Sequence, residues 1–372
     1  MARIRIGSFN VKNLSSKSGR NLTRIAQIIN DYKLDIVALQ EVLEGGRVIY
    51  SAITKELSGA AKGYNDFLIN HLSGQWDSVW LQPSVRGKNL KYLSPDQRGE
   101  GYALLWRKDK FEIPPPVKDS KTGIEEDQGP IIFSGYHAAK DGLRLIRDPL
   151  YARLILKEKK AVELRILITH VIYGKPSISF DQDDFELDAG AIEMRKKEFH
   201  TLAGKIYNRL SKDYNVPECT APYTLLMGDY NLNLKNSSAS GAYVPSSSYE
   251  QGLAVAFYDE GGHLVDETST KVVNTFLNQF DLPTLNGDNA NSKILKIYTS
   301  QSDLSTLKRD EPTYANNYDH FSFNDTLKRQ ITSLDGIRAI QEVVGDPDDS
   351  AAFEEYKKTV SDHIPIIIEL NI

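Results

Sequence analysis

The first forty residues constrain the fold more than any other stretch. Arg3 to Phe9 alternates around Ile4 and Ile6 as a strand does, and Asn21 offers a side-chain oxygen to open a helix whose Leu22, Ile25, Ile28 and Ile29 share one face. Asp35 to Leu39 follows as a buried strand. A strand, a helix and a strand in that order form a β-α-β unit, in which the strands run parallel with a right-handed crossover. Asn10 and Glu41 are therefore expected just past the carboxyl ends of two neighbouring strands, where open α/β sheets place their ligands.

The same placement recurs downstream. Leu164 to Thr169 reads as a strand that delivers His170, and Thr224 to Gly228 reads as one that delivers Asp229. Asp319 and Asp362-His363 instead precede strands, Phe321 to Phe323 and Ile364 to Leu370, so those strands must run antiparallel to bring their starts to the same rim. Mixed sheets follow. Further strands are expected at Tyr102 to Trp106 and Ala152 to Leu156, and a long amphipathic helix through Ile192, Phe199, Leu202, Ile206 and Leu210. Pro114-Pro115-Pro116 marks a turn or short polyproline segment, and the Ser- and Gly-rich run from Asn236 to Ser248 marks a surface loop.

Composition narrows the function classes. The 372 residues include 40% hydrophobic and 26% charged residues, which suits a globular chain with a sizeable core. A formal net charge of −5 gives no global field that advertises a polyanion, although a nuclease needs cations only where the backbone docks. The single cysteine, Cys219, excludes an internal disulfide. No apolar run reaches the roughly 20 residues of a membrane helix, and Met1-Ala2 leads straight into strand alternation. The expectation is a cytoplasmic protein without membrane insertion.

Two words carry the chemistry, Met227-Gly228-Asp229-Tyr230-Asn231 and Ser361-Asp362-His363-Ile364-Pro365. Two carboxylates, an amide and an imidazole can hold a divalent cation, orient a water and stabilise charge on a transferring phosphorus. Asn10 beside Glu41 supplies oxygen ligands suited to Mg²⁺, which keeps several waters and takes few protein ligands; such hard donors argue against zinc. Asp362 is a further candidate metal ligand, with His363 facing the same phosphate. Plainer readings stand beside these. Gln40-Glu41 also suits a strand surfacing, His170 a hydrogen-bonded core position, and Asp229 with Asn231 an Asx-turn.

Taken in order, Asn10, Gln40-Glu41, His170, Gly228-Asp229-Tyr230-Asn231, Tyr318-Asp319 and Ser361-Asp362-His363 resemble the endonuclease/exonuclease/phosphatase superfamily over nearly the whole chain. The resemblance implies an α/β (α+β) fold, a four-layer α/β/β/α sandwich of two mixed β-sheets in one catalytic domain over residues 1–372. On the same resemblance, the segments near 235–262 and 271–311 are insertions relative to the family core. Glu100-Gly101-Tyr102 and Arg147-Asp148-Pro149 look like the deoxyribonuclease-I-like branch, with a glutamate that pairs with a catalytic histidine and an arginine that binds phosphate. His170 stands where repair exonucleases of the superfamily usually carry tyrosine; His320 follows Asp319 where the branch often has arginine.

On that resemblance, Glu41, Asn10 and Asp362 are expected to hold Mg²⁺, with Mn²⁺ as a substitute. His363 is oriented by Asp319; Asp229 and Asn231 position or deprotonate the water; His170, made more basic by Glu100, protonates the leaving oxygen; and Arg147 clamps the phosphate. Nucleic acid, DNA first, is the expected partner of a monomeric enzyme, because Arg86, Lys88, Lys91, Tyr92 and Arg98 crowd the segment before Glu100. A solvated loop is the plainer reading of that segment. The acidic stretch from Phe180 to Asp188 is a candidate for structural Ca²⁺, though it lacks the glycine and terminal glutamate of an EF-hand loop. Competing functions are a lipid phosphodiesterase or inositol-polyphosphate phosphatase on the same fold, and a catalytically silent binding module.

Overall fold

The computed structural model describes residues 2–14, 19–43, 59–83, 100–118, 125–126, 128–133, 145–171, 195, 198–199, 201–207, 210–211, 221–232, 298–299, 303–332, 337–346 and 349–372. Arg98 and the basic segment before it, Ile192, Cys219, the acidic stretch at 180–188 and the run at 236–248 lie outside the described residues.

The amino-terminal part supplies β1 (Arg3–Leu14), α1 (Leu22–Asp31), β2 (Ile36–Leu43), α2 (Gly59–His71), β3 (Trp76–Leu81) and β4 (Glu100–Arg107). Short strands β5 (Phe111–Glu112), β6 (Val117–Lys118), β7 (Glu125–Glu126) and β8 (Ile131–Ile132) precede β9 (Leu150–Leu156), β10 (Val162–His170) and β11 (Ala221–Asp229). The chain ends with β12 (Tyr298–Thr299), β13 (Asp319–Phe323), α3 (Asp325–Lys328), β14 (Ile337–Ala339), α4 (Ser350–Thr359) and β15 (Ile366–Asn371).

These strands form two mixed sheets and a small β6-β7 ribbon. One sheet has the order β14-β15-β1-β2-β4-β3; the other has β12-β13-β11-β10-β9-β5, with β8 also on β9. Each has a parallel pair at its heart, β1 with β2 and β10 with β11, flanked by antiparallel neighbours. The strand period of two explains the layering. Leu164, Ile166 and Ile168 of β10 enter the main core, while Leu167 enters a second cluster with Phe199, Leu202, Ile206 and Leu210. A strand buried on both faces reads as an unbroken apolar run, as Ile166 to Ile168 does.

The helix expected through Phe199 to Leu210 buries the anticipated face, but Thr201–Tyr207 winds as a wider π-helical turn. On the other sheet α1 opens as its sequence implies. The Asn21 side-chain oxygen accepts from Arg24 N at 3.0 Å, and Ile25, Ala26, Ile28 and Ile29 are buried. The molecule is an α/β sandwich. Among the described residues, no helix is long and apolar enough to cross a membrane.

Candidate active site

Strand direction assembles the site. In register, His170 lies opposite Asp229 across the parallel β10/β11 pair, and Asp229 opposite Asp319 across antiparallel β11/β13. Three adjacent strands thus end or begin in line. On the facing sheet, Asn10 and Glu41 come from the parallel pair, and Ser361-Asp362-His363 leads into β15, which is antiparallel to β1.

Asn10 and Glu41 do not lie past their strands, as the sequence pattern suggests. Both strands continue, to Leu14 and Leu43, but their registers break between Asn10 and Leu14 and between Gln40 and Val42. Glu41 takes the left-handed conformation at φ 57°, as do Lys12 at 41° and Asn13 at 57°. A bulge of this kind re-aims a side chain without ending the strand. Here it carries the Glu41 carboxylate toward the opposite sheet.

One amide joins the two sheets. Asn10 Nδ2 donates to Glu41 Oε1 at 2.9 Å and to Asp229 Oδ2 at 3.1 Å, while its Oδ1 accepts from Lys12 N at 2.9 Å. The Asn10 oxygen expected to ligate a metal thus already accepts one backbone N–H and keeps a second lone pair. Asp362 Oδ2 pairs with Lys12 Nζ, both side chains being partly exposed. Burial opposes its charge, but His363 and Lys12 outweigh that and hold its carboxyl below the usual range.

His363 Nδ1 lies 2.9 Å from Asp319 Oδ2, and its Nε2 lies 3.6 Å from Asp229 Oδ2. Burial disfavours the imidazolium, yet Asp319, Asp229 and Asp362 outweigh it and raise the pKa well above the ordinary value. Burial pushes the Asp229 carboxyl up to about 7, with His363 working the other way. Asp229 Oδ1 accepts from Asn231 N at 2.8 Å. The Asn231 side-chain nitrogen donates to Val171 O at 2.7 Å, and the contact with Asp229 is made by the Asn231 backbone N–H.

His170 departs most from expectation. Arg147 does not face an incoming phosphate: its side chain is 2% exposed, with Nη2 on Glu100 Oε2 at 2.5 Å and Nη1 at 2.8 Å from His170 Nδ1. Arginine has no acceptor, so Nδ1 must accept and the ring proton sits on Nε2. Burial first and Arg147 second push the His170 pKa down to about 3, although Glu100 Oε2 lies 3.1 Å from Nδ1. The ring is therefore neutral, with Nε2–H 3.6 Å from Asp229 Oδ2 and 3.8 Å from Glu41 Oε1. His320 serves the scaffold, its Nε2 facing Leu232 O and Asn317 O.

Two groups have the spacing of metal ligands, Glu41 with His170 and Asp229, and Asp229 with Asp319 and His363; within each, the ligand atoms lie within 4.8 Å of one another. Glu41 is the most open of these carboxylates, at 15% side-chain exposure against 2% for Asp229 and 0% for Asp319. Its Oε1 and Oε2 each accept one N–H, from Asn10 and from Asn13, and a carboxylate oxygen has room for a further partner. The carboxylate oxygens of Glu41 and Asp229 in this set fit a hard divalent cation.

The sequence pattern missed Lys12 and Ser305. Lys12 follows Asn10 by two residues and lies beyond the strand read from Arg3 to Phe9. Ser305 lies in a stretch read as an insertion, yet its Oγ sits 2.7 Å from Asp319 Oδ2.

An α/β sandwich whose facing sheets bring carboxylates, imidazoles and an amide to one rim is the architecture of a metal-dependent phosphate-ester hydrolase. The chain belongs to the endonuclease/exonuclease/phosphatase family, which matches residues 7–242. Similar solved structures include a mannosyl-6-phosphatase from Bacteroides thetaiotaomicron, 13% identical with a TM-score of 0.46, covering 99% of this chain and 100% of that one. The human Nocturnin catalytic domain with bound sulfate is 12% identical with a TM-score of 0.42, covering 99% and 93%. D. rerio TDP2 complexed with a single-strand DNA product is 12% identical with a TM-score of 0.46, covering 100% of both chains. No curated protein sequence matches.

Proposed function

We propose that this protein is a Mg²⁺-dependent phosphodiesterase, one catalytic domain over residues 1–372, whose substrate is nucleic acid and in the first place DNA. The observation that carries the reading is the meeting of Glu41, Asp229 and His363, from three distant parts of the sequence, beside the Asn10 amide that two of them share. Glu41 is the residue that would hold the cation, and a bound cation would polarise a phosphoryl oxygen and offset its developing charge.

The chain's own groups divide the remaining work. Asp229, held by Asn231 N and by Asn10, takes the proton of the attacking water. His363, clamped by Asp319, presents Nε2–H to the phosphate. His170 donates a hydrogen bond from Nε2 on the far side as a neutral ring, stabilising negative charge instead of delivering a proton. The choice of nucleic acid rests on the sequence, because Arg86, Lys88, Lys91, Tyr92 and Arg98 lead directly into Glu100, which opens β4 at this rim.

The test is a parallel digestion of supercoiled plasmid, linear DNA, RNA, sphingomyelin and inositol phosphates with Mg²⁺, with Mn²⁺ and with chelator. DNA cleavage that chelator abolishes and Mg²⁺ restores supports the reading. Hydrolysis confined to lipid or inositol substrates rejects the substrate class, and no hydrolysis of any ester rejects the activity.

A further inference from the structure

His363 is aimed by Asp319, and Asp319 must itself be aimed. We infer that Ser305 is the positioning residue of this pair, an inference that rests on the hydrolytic reading above. Ser305 is fully buried and comes from the segment between β12 and β13, apart from every motif that marks the site.

Counting protons fixes its role. Ser305 Oγ accepts from Tyr318 N at 3.2 Å and from Asp319 N at 3.0 Å, and lies 2.7 Å from Asp319 Oδ2. A hydroxyl has two lone pairs and a single proton. With both lone pairs facing backbone N–H groups, the proton goes to Asp319 Oδ2. That same oxygen accepts from His363 Nδ1 at 2.9 Å, which keeps the imidazole proton on Nδ1 and turns Nε2 toward Asp229.

The backbone of the segment reinforces the aim. Ser305 O accepts from Ile364 N at 2.7 Å, Thr306 forms an isolated bridge with His363, and Asp362 O accepts from Leu307 N at 2.8 Å. Asp319 belongs to one sheet and His363 leads into the other. Ser305 therefore ties the two halves of the pair together across the gap between sheets. Without the hydroxyl, the carboxylate loses an anchor on the oxygen that faces His363 and can turn, and the imidazole turns with it.

The experiment uses the full chain with Ser305→Ala and Ser305→Thr. It reads thermal melting, kcat and KM for Mg²⁺-dependent hydrolysis of bis(p-nitrophenyl) phosphate, and the hydrogen-bonded imidazole N–H proton resonance that His363→Gln removes. Ser305→Ala is expected to melt cooperatively, with kcat down about tenfold, KM within about twofold and the His363 resonance shifted upfield or broadened by exchange. Ser305→Thr, which keeps the hydroxyl, is expected to restore both. Wild-type kcat with an unmoved resonance in Ser305→Ala overturns the inference, as does a folded Ser305→Thr that restores neither. If the alanine variant does not fold, Ser305→Cys replaces it, with the same expected losses and the same overturning result. The resonance needs no substrate, so a wild-type protein that cleaves no ester refutes the proposed function separately and leaves Ser305 tested.

Discussion

Glu41 is held in a left-handed bulge by two N–H donors and still opens to solvent, which makes it the residue whose charge is most exposed to test. Glu41→Gln keeps the shape and removes the charge. It is expected to lower kcat by roughly 10²- to 10³-fold and to weaken Mn²⁺ binding, read by electron paramagnetic resonance, with melting little changed. His170→Ala and His363→Ala are each expected to lower turnover by about 10² to 10⁴ while the fold survives. Arg147 gives a sharper contrast. As a phosphate clamp it would show its loss in KM; as the partner of the buried Glu100 it shows it in stability. Arg147→Ala is expected to destabilise the protein by about 3 to 5 kcal/mol in a urea melt, because it removes the cation paired with a carboxylate that is 4% exposed.

At the scale of elements, β10 and β11 must approach closely to set His170 beside Asp229. Gly228 permits it: φ is 142°, and a Cβ there would fall 1.9 Å from Thr169 O. Gly228→Ala is expected to cost about 3 kcal/mol or more and to depress activity as the rim distorts, measured by denaturation and by turnover on the same sample. A second feature of β10 concerns stability alone. The Glu163 carboxylate accepts from Arg153 Nε at 2.7 Å and Arg165 Nε at 2.9 Å. Burial works against its charge, but the two guanidinium groups outweigh burial and hold its carboxyl below the ordinary value of 4.5. A depressed folded pKa contributes stability above the unfolded value and loses it as pH falls through the folded one. Glu163→Gln is therefore expected to lower stability at pH 7, with the gap from wild type closing in melts below pH 4.5.

Strand and helix periods made these elements readable in advance. Ile4 and Ile6, the Asn21 cap and the Ile25 to Ile29 face carried the opening β-α-β unit, and the polar word after each apolar run located the rim. What they could not carry is conformation within a residue. Nothing in Gln40-Glu41-Val42 announces a bulge with φ above zero. Nothing in Arg147-Asp148-Pro149 says that the guanidinium turns inward, because that depends on Glu100 and His170 arriving from other strands. Ser305 has no local signal either; its partners are fixed only once β13 and β15 lie in different sheets.

At the scale of the whole molecule, the sandwich works as a clamp in which each sheet contributes an incomplete half of the site. β1, β2 and the approach to β15 bring Asn10, Glu41 and His363; β10, β11 and β13 bring His170, Asp229 and Asp319. With a net charge of −5, nucleic-acid binding must rely on local cations, so affinity for DNA is expected to fall steeply between low and moderate salt in filter binding. Binding indifferent to salt would contradict contact with the phosphate backbone.

The most direct measurement is a double-mutant cycle across the two sheets, with kcat for Mg²⁺-dependent phosphodiester hydrolysis determined for wild type, Glu41→Gln, Asp229→Asn and the double variant. Groups that serve one reaction centre lose their effects together, so the double variant is expected to be about as slow as the slower single variant. Losses that multiply to the product of the singles would show the two carboxylates acting independently, and would contradict a shared site.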